Sequence, residues 1–410
     1  MPRRKTTARW DLTPNGPLRS VRIDRKVVTS FWDQRLPFVV PRSALAAIDG
    51  VEAPTDASGF ISAMSSPLLP LLRTHALQDG RLREVTFNAL YREKHGGREY
   101  PLICTDYDGP LMITKKAYRT TKTRYLLSAI PRIVRRHLGL PSGWVLVVGD
   151  FKSCHPAIAF ALTADPALGE DLATGDIHQV TGDWILAAAS NWAATARREL
   201  GKAVNNAMLF GLTERGIAAC IQRALGVPID GAWATYVWHA WWSRYPLLAE
   251  YRNQAHAFVQ YCGANDEALN ILSPGGWRSH FSPAELRGAV AAGPGHGQGP
   301  EAAARSVFSA VFRGIESDLL RLTITHFHGT ASEHEGKGVL PLYDGLYIGA
   351  RTDRVNQVVQ ALEDAGRRAA DELGIPDLRV VCSLPDGGLA AQTVMAEVVS
   401  AGQPDLAGSG

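Results

Sequence analysis

The sequence predicts an α+β fold, in which strands occur on both sides of a long helical region. Apolar runs occur near residues 144–150 and 338–350, and apolar and polar residues alternate near residues 84–112; both patterns are typical of strands. Between residues 183 and 260, apolar residues recur at helical spacing. With 410 residues, 46% of them hydrophobic, the chain can form two or three subdomains around a large core.

Residues 1 to about 85 are the least regular part of the chain, and a more regular segment follows them. Residues 66–77 predict one helix, and apolar and polar residues alternate between residues 84 and 112. Turn signals at residues 95–97 and 106–109 divide this alternation, so we expect short antiparallel strands with a turn at each signal.

A group of cations follows between residues 115 and 136, with no Asp or Glu among them. It consists of Lys115, Lys116, Arg119, Lys122, Arg124, Arg132, Arg135 and Arg136. Such a group can neutralise several phosphates of a nucleic acid, although a solvated protein surface carries the same pattern. Because the net charge is only +3, a prediction of nucleic-acid binding depends on this local group.

Two aspartates are predicted at the ends of buried strands. The apolar run 143–149 ends in Asp150, and a Tyr-Asp-Gly turn places Asp344 between two apolar strands. An unpaired carboxylate is costly to bury, and a shared Mg²⁺ ion would relieve that cost. A structural role explains either residue alone, since Asp150 lies at a strand-to-helix turn and Asp-Gly is a common hairpin signal.

Arg198, Lys202, Asn206 and Phe210 follow one another four positions apart and share one face of a predicted helix. Two cations and an aromatic ring suit a nucleoside triphosphate, because the cations bind phosphates and the ring lies beside the base. A solvated basic face with a buried Phe explains the same spacing in a single helix.

The remaining elements lie towards the C-terminus. We expect helices at residues 302–327 and 353–373, a strand at residues 378–383 and a Gly/Pro-rich loop at residues 289–300.

In this order, the segments around Asp150, Lys202 and Asp344 resemble the polymerase motifs A, B and C of family A DNA polymerases, the DNA polymerase I group. Four further segments between residues 120 and 387 are similar to conserved segments of that family: SAIPRIVRR, DPALGEDLATGDIHQVTGDW, WWSRYPLLAEYRNQA and NILSPGGWRSHF. The resemblance implies a right-hand polymerase fold with an antiparallel palm sheet, helical fingers and a reduced thumb.

The resemblance also implies roles for individual residues. Two Mg²⁺ ions, with Mn²⁺ as an alternative, would be held by Asp150, the backbone carbonyl of Phe151 and Asp344, and Lys202 would act with both aspartates in catalysis. The nucleotide would contact Arg198, Lys202, His178, Phe210, His155 and Asn206. Arg278 would contact the nucleic acid, and we expect further contacts from Arg313 and, because of the local charge described above, from Arg119, Lys122, Arg124 and Arg132.

Several positions depart from the family pattern. A Glu that excludes ribose and a Tyr that bonds to it are replaced here by His155 and Phe210. Asn206 replaces an aromatic residue, Arg313 replaces a Gln, and the second acid of motif C is absent after Asp344. We therefore expect retained catalysis with altered fidelity or sugar selection.

The resemblance implies an N-terminal thumb-like region at residues 1–135, palm segments at 136–165 and 316–390, fingers at 166–315 and a tail at 391–410. Only 149 residues precede Asp150, so we expect no separate proofreading exonuclease of ordinary domain size. Small enzymes of this kind suit a phage, plasmid or other mobile element.

The expected activity is template-directed DNA synthesis from a primer 3′-OH by a two-metal mechanism. Its partners would be primer–template DNA, dNTPs, with NTPs as an alternative, and a replication protein. One alternative function is that of a primase-polymerase or small RNA polymerase of the same fold, motivated by His155 and Phe210. Another is a non-catalytic nucleic-acid-binding module of a replication complex.

Composition indicates where such a protein would act. The first 15 residues lack the apolar core of a signal peptide, and no run of about 18 apolar residues is present. The five cysteines form no C-x-x-C pair, which favours neither a zinc site nor a disulfide framework. We therefore expect a cytoplasmic location and no membrane partner.

Overall fold

The computed structural model has an α+β fold in which a long helical region separates the strands of the main sheet along the chain. The structure describes residues 7–9, 16–34, 36, 39–40, 85–95, 98–108, 140, 143–187, 194–226, 228–276, 278–290, 299–330, 336–342 and 345–384. The predicted helix at residues 66–77, the cations at residues 115–136 and Asp344 lie outside the described residues.

Most helices of the described residues lie between residues 154 and 330. The helices are α1 (Arg25–Asp33), α2 (Cys154–Thr163), α3 (Pro166–Ala173), α4 (Ile177–Ile185), α5 (Ala194–Leu209), α6 (Glu214–Leu225), α7 (Gly231–Arg244), α8 (Pro246–Ala264), α9 (Pro283–Leu286), α10 (Pro300–Thr330) and α11 (Val355–Leu373). None of the helices within these described ranges is long and apolar enough to cross a membrane.

The strands within the described ranges form three small sheets. They are β1 (Thr7–Arg9), β2 (Val39–Val40), β3 (Val85–His95), β4 (Arg98–Asp108), β5 (Trp144–Phe151), β6 (Ala268–Leu272), β7 (Arg278–Phe281), β8 (Gly336–Leu342), β9 (Gly345–Arg351) and β10 (Val380–Ser383). The main sheet has the order β10-β5-β9-β8 with antiparallel neighbours. The other two have the orders β1-β6-β7, in which β1 is parallel to β6, and β2-β3-β4.

The central position of β5 follows from its sequence. Its Val- and Leu-rich residues 146–148 are buried, as expected for a strand with neighbours on both edges. Helix α11 packs against this strand at Gly149, where an added Cβ would lie 2.7 Å from Cδ2 of Leu362. The close approach of helix and strand holds the C-terminal end of β5 firmly in the core.

Helix α10 is the longest element of the described residues and runs through the core. Its middle section is buried, and it packs against α1, α2, α8 and α11. Side chains of Phe308, Phe312 and Leu319 have no exposed surface. The helix therefore connects the packing of the main sheet with that of the helical region.

Most elements predicted from the sequence are confirmed, including the strands around Asp150, the hairpin strands β8 and β9 and the helices after residue 300. The turn predicted at residues 106–109 is wrong at its start, because β4 continues through Asp108, which pairs with Thr86. Hydrogen bonding to β3 outweighs the turn preference of the Asp residues.

Candidate active site

Asp150 stands at the C-terminal end of the central strand of the main sheet. It is exposed, while the residues before and after it are buried. Asp150 pairs with Val381 of β10 on one side and with Gly345 of β9 on the other. Burial and the charges of Glu363 and Asp150 raise the pKa of the Cys382 thiol to about 12, so this neighbouring thiol stays protonated.

A sharp turn after Asp150 leads directly into α2. Ser153 precedes that helix in the left-handed conformation, with φ of 54°, which is uncommon for a residue with a side chain. The turn brings His155, in the first turn of α2, back towards the helical region. Non-glycine residues in such conformations are frequent at functional sites.

His155 joins three helices at this point. Its ring packs edge-on against the ring of Phe210 with centroids 4.7 Å apart and planes at 69°. Its Nε2 lies 3.4 Å from Oε2 of Glu316, in the middle of α10. His155 and Glu316 are both buried. The turn that follows Asp150 is thus fixed against the end of α5.

Helix α5 carries the predicted basic face. It ends at Leu209, one residue before Phe210, whose N–H still donates to the carbonyl of Asn206 at 3.0 Å. Lys202 is exposed, and within the described part of the chain no carboxylate forms an ion pair with it. Asn206 is half-buried one turn further along.

Arg198 is held by an acid from the preceding helix. Its Nε donates to Oδ2 of Asp176 at 2.7 Å, and Asp176 also caps α4 by accepting from the N–H of Gln179. Burial opposes ionisation of Asp176, but the hydrogen bonds from Arg198 and Gln179 outweigh it and lower its pKa. Arg198 is therefore positioned as a cation before any ligand arrives.

His178 lies on α4, close to both cations of α5. It is buried, and its Nδ1 is 3.1 Å from Nδ2 of Asn205. Burial, together with the positive charges of Lys202 and Arg198, lowers its pKa from the ordinary 6.5 to about 4. At neutral pH this ring is uncharged.

Arg278 lies on β7 and Arg313 on α10, and a hydrogen bond from a backbone N–H to a side-chain carboxylate joins the turn before β7 to α10. Arg278, at the start of β7, is exposed and donates from Nε to Oδ1 of Asn270 at 3.3 Å. Arg313, on α10, is exposed and donates to the hydroxyl of Ser309 at 2.8 Å. The turn before β7 contacts α10 where the N–H of Gly275 donates to Asp318 at 2.6 Å.

The donor atoms at the end of β5 suit a hard divalent cation. Asp150 offers carboxylate oxygens and Phe151 a backbone carbonyl, and Mg²⁺ and Mn²⁺ prefer oxygen ligands. Within the described ranges, no group of three or more His, Cys, Asp or Glu residues forms a complete metal site. Asp344 directly precedes Gly345, the partner of Asp150, but itself lies outside those ranges.

Sequence reasoning brought His155, Phe210, Lys202, Arg198 and His178 into one region, as the structure does, and missed three of their partners: Glu316, Asp176 and Asn205. Glu316 and its neighbours Ser317 and Asp318 are three consecutive polar residues between apolar ones in a helix of the core, which is a usable signal. Asp176 had the signature of a helix N-cap only. Arg119, Lys122, Arg124 and Arg132 lie outside the described residues, so their role stays a prediction.

The fold is similar to that of a known polymerase domain. The chain matches the POL domain of Pol1 from M. smegmatis, in a complex with DNA primer-template and dNTP, with a TM-score of 0.54. The match covers 91% of this chain and 68% of the other at 17% sequence identity. A scan against protein-family models and a search of curated proteins gave no match. The described elements therefore form a polymerase-like fold.

Proposed function

We propose that this chain is a template-directed nucleotidyltransferase that adds deoxynucleotides to a primer 3′-OH. The observation that carries the proposal is the contact between the rings of His155 and Phe210, 4.7 Å apart. Through it, the turn after the Asp150 carboxylate meets the helix that carries Arg198 and Lys202. The likeness of the fold to a polymerase domain bound to DNA primer-template and dNTP supports the same function.

The spacing along α5 suits an incoming nucleotide. Lys202 and Phe210 are eight positions apart, which corresponds to about 12 Å at a rise of 1.5 Å per residue. Phosphates at the Lys202 end would place the base near the Phe210 ring, which packs against His155. Cations at this position would stabilise the transition state of phosphoryl transfer, because the phosphate oxygens carry negative charge in it.

Arg198 must exchange its partner when a triphosphate binds. In the structure, Nε of Arg198 lies 2.7 Å from Oδ2 of Asp176. A phosphate would compete for the same guanidinium, and Asp176 would keep the arginine oriented until then. His178 would add a neutral hydrogen-bond donor beside these two cations.

Asp150, the carbonyl of Phe151 and Asp344 would hold Mg²⁺ or Mn²⁺. When bound, the metal supplies Lewis-acid stabilisation of the reacting phosphate and the primer oxygen. Asp150 is exposed at the end of its strand, so its carboxylate could bind a metal ion without any change in the sheet. In this proposal residues 136–165 and 316–390 form the palm, residues 166–315 the fingers and residues 1–135 a thumb-like region.

Primer extension with Asp150→Asn and Lys202→Ala tests the proposal. We expect each variant to lose at least about 100-fold in incorporation rate, because each removes a charge that stabilises the transition state. Matched controls are Asp230→Asn, an exposed helix cap that Asn can replace, and Arg368→Ala, an exposed cation of α11. Near-native extension by Asp150→Asn would overturn the assignment of the site.

A primase-polymerase or small RNA polymerase is the second candidate. The residue that packs against Phe210 is His155 rather than an acid, and Phe210 has no hydroxyl. Oε2 of Glu316 lies 3.4 Å from Nε2 of His155. We therefore expect this site to discriminate between ribose and deoxyribose differently from a site with the Glu and Tyr of the family pattern. Templated reactions with dNTPs or NTPs, each with and without primer, separate the candidates, since strict dependence on dNTP and primer excludes the second one. Salt-sensitive DNA binding without any synthesis would indicate a non-catalytic binding module.

A further inference from the structure

A buried network of polar side chains lies beneath His178, where α4 and α5 cross. Its four members are almost completely buried, with fractional exposures of 5% for His178, 0% for Thr181, 1% for Asn205 and 1% for Trp241. The Nε1 of Trp241 donates to Oδ1 of Asn205 at 2.8 Å, and the Thr181 hydroxyl lies 3.1 Å from the same oxygen. Nδ2 of Asn205 lies 3.1 Å from Nδ1 of His178.

The orientation of the Asn205 amide follows from Trp241, whereas the Thr181 hydroxyl lies within hydrogen-bond distance of both the oxygen and the nitrogen of that amide. An indole N–H only donates, so the Asn205 atom at 2.8 Å from it must be the carbonyl oxygen. The amide nitrogen of Asn205 then faces His178. Because an amide NH₂ only donates, Nδ1 of His178 must accept, and a neutral ring carries its proton on Nε2.

Two glycines permit this crossing of the helices. An added Cβ on Gly201 of α5 would lie 1.9 Å from the carbonyl oxygen of His178, and one on Gly182 would lie 1.8 Å from the carbonyl oxygen of Arg197. No side chain fits at either position. The absence of both Cβ atoms brings the backbone of α5 against α4, so Asn205 reaches His178 directly.

The charges around His178 agree with a neutral ring. Lys202 and Arg198 of α5 and His155 of α2 disfavour a further positive charge, whereas Asp176 at the start of α4 favours it. Burial is the largest contribution, and together these groups lower the pKa of His178 to about 4. A neutral donor can bind a phosphate oxygen beside two cations without adding to their mutual repulsion.

We propose that Asn205 is a positioning residue that holds His178 as the Nε2–H tautomer, so that His178 donates a neutral hydrogen bond to the triphosphate held by Arg198 and Lys202. The proposal rests on the proposed function for its ligand, whereas the tautomer itself is a property of the ligand-free protein. The orientation of this phosphate donor thus depends on Trp241, which is buried beneath it.

Nitrogen NMR of histidine-labelled protein tests the tautomer without any substrate. The signals of His178 are identified by their loss in His178→Gln, and we expect a protonated Nε2 and an unprotonated Nδ1 at pH 7. In Asn205→Asp the carboxylate still accepts from Trp241 but no longer donates to Nδ1. We expect Nδ1 to become protonated and the pKa of His178 to rise by about two pH units.

Two further variants complete the test. Asn253→Asp adds the same charge at an exposed position of α8 and is expected to leave the His178 signals unchanged. If Asn205→Asp does not fold, Trp241→Phe removes the donor that orients the Asn205 amide, and signals from both tautomers of His178 are expected.

Nucleotide binding gives the second readout. With dATP, we expect the KM of Asn205→Asp to rise about ten-fold and its pH profile to change, whereas Asn253→Asp stays native. A protonated Nδ1 in the native protein, or an unchanged His178 tautomer in both network variants, would overturn the proposal. A native protein with the expected tautomer but no nucleotide binding would refute the proposed function instead, and with it the role of His178 as a phosphate donor.

Discussion

Acid is expected to weaken the folded state through His178, and the size of the effect follows from its environment. Burial beside Lys202 and Arg198 lowers the pKa of this histidine from 6.5 to about 4. As the pH falls, the unfolded chain therefore takes up a proton below about pH 6.5, but the folded protein takes it up only near pH 4. Between these values the unfolded state binds more protons, so the free energy of unfolding decreases with falling pH.

One pKa unit corresponds to about 1.4 kcal/mol, so the contribution of His178 falls by about 2 kcal/mol from pH 7 to pH 5 and by about 3 kcal/mol to pH 4. Other groups titrate in the same range. Burial raises the pKa of Asp318 to about 6, against hydrogen bonds from Ser273 and Gly275 that lower it. Its contribution has the opposite sign, because a raised carboxyl pKa stabilises the folded state most at low pH.

Urea unfolding of the native protein and of His178→Gln, at matched pH values from 7 to 4.5, isolates the effect. The difference between the two free energies of unfolding cancels the contributions of Asp318 and of every other group. We expect this difference to shift with pH by about 2 kcal/mol in favour of the variant by pH 5. A difference that stays constant from pH 7 to pH 4.5 would refute the assignment of a neutral, buried His178.

Three further predictions concern the surroundings of the site. Asp171→Asn should lower the free energy of unfolding by about 2 kcal/mol in urea titrations, since the buried Asp171 accepts two bonds from Arg244, at 2.6 and 2.7 Å, and one from Tyr245; an unchanged midpoint would contradict this. Gly201→Ala should cost about 3 kcal/mol or more because its Cβ meets the His178 carbonyl, whereas Gly231→Ala, with open space around it, should be neutral in the same assay. Asp176→Asn should keep the cap of α4 but weaken the bond that holds Arg198. Arg198 would then bind phosphate more readily, so we expect calorimetry to detect about five-fold tighter binding of dATP. Weaker binding would speak against competition between Asp176 and phosphate.

Local patterns were sufficient to predict the elements that carry the candidate site. The β-branched run before Asp150 and the spacing of Arg198, Lys202 and Phe210 each predict one element, and the structure has both. These signals are reliable because strand burial and helical periodicity depend on residues close in sequence. The outcome differs for Asp106 and Asp108, whose turn preference is overridden by pairing with a distant part of β3.

The partners of the site residues could not be predicted in the same way. Glu316 lies 161 positions from His155, and nothing near either residue specifies the other. Asn205 stands beside Asn206 with identical chemistry, yet only Asn205 is fully buried, because the crossing of α4 over α5 covers one face of the helix. Such contacts arise from packing between helices, which a single sequence does not encode as a local pattern.

The order of strands in the main sheet has a consequence for synthesis on the ribosome. Both neighbours of β5, which are β9 and β10, lie roughly 200 residues or more further along the chain, so at about 5–20 residues per second they emerge about 10–40 s later. During this interval the apolar β5 has neither edge paired and is exposed to aggregation. The helical region must therefore collapse early or a chaperone must shield β5, and a chain released before residue 345 lacks both strands that complete the sheet.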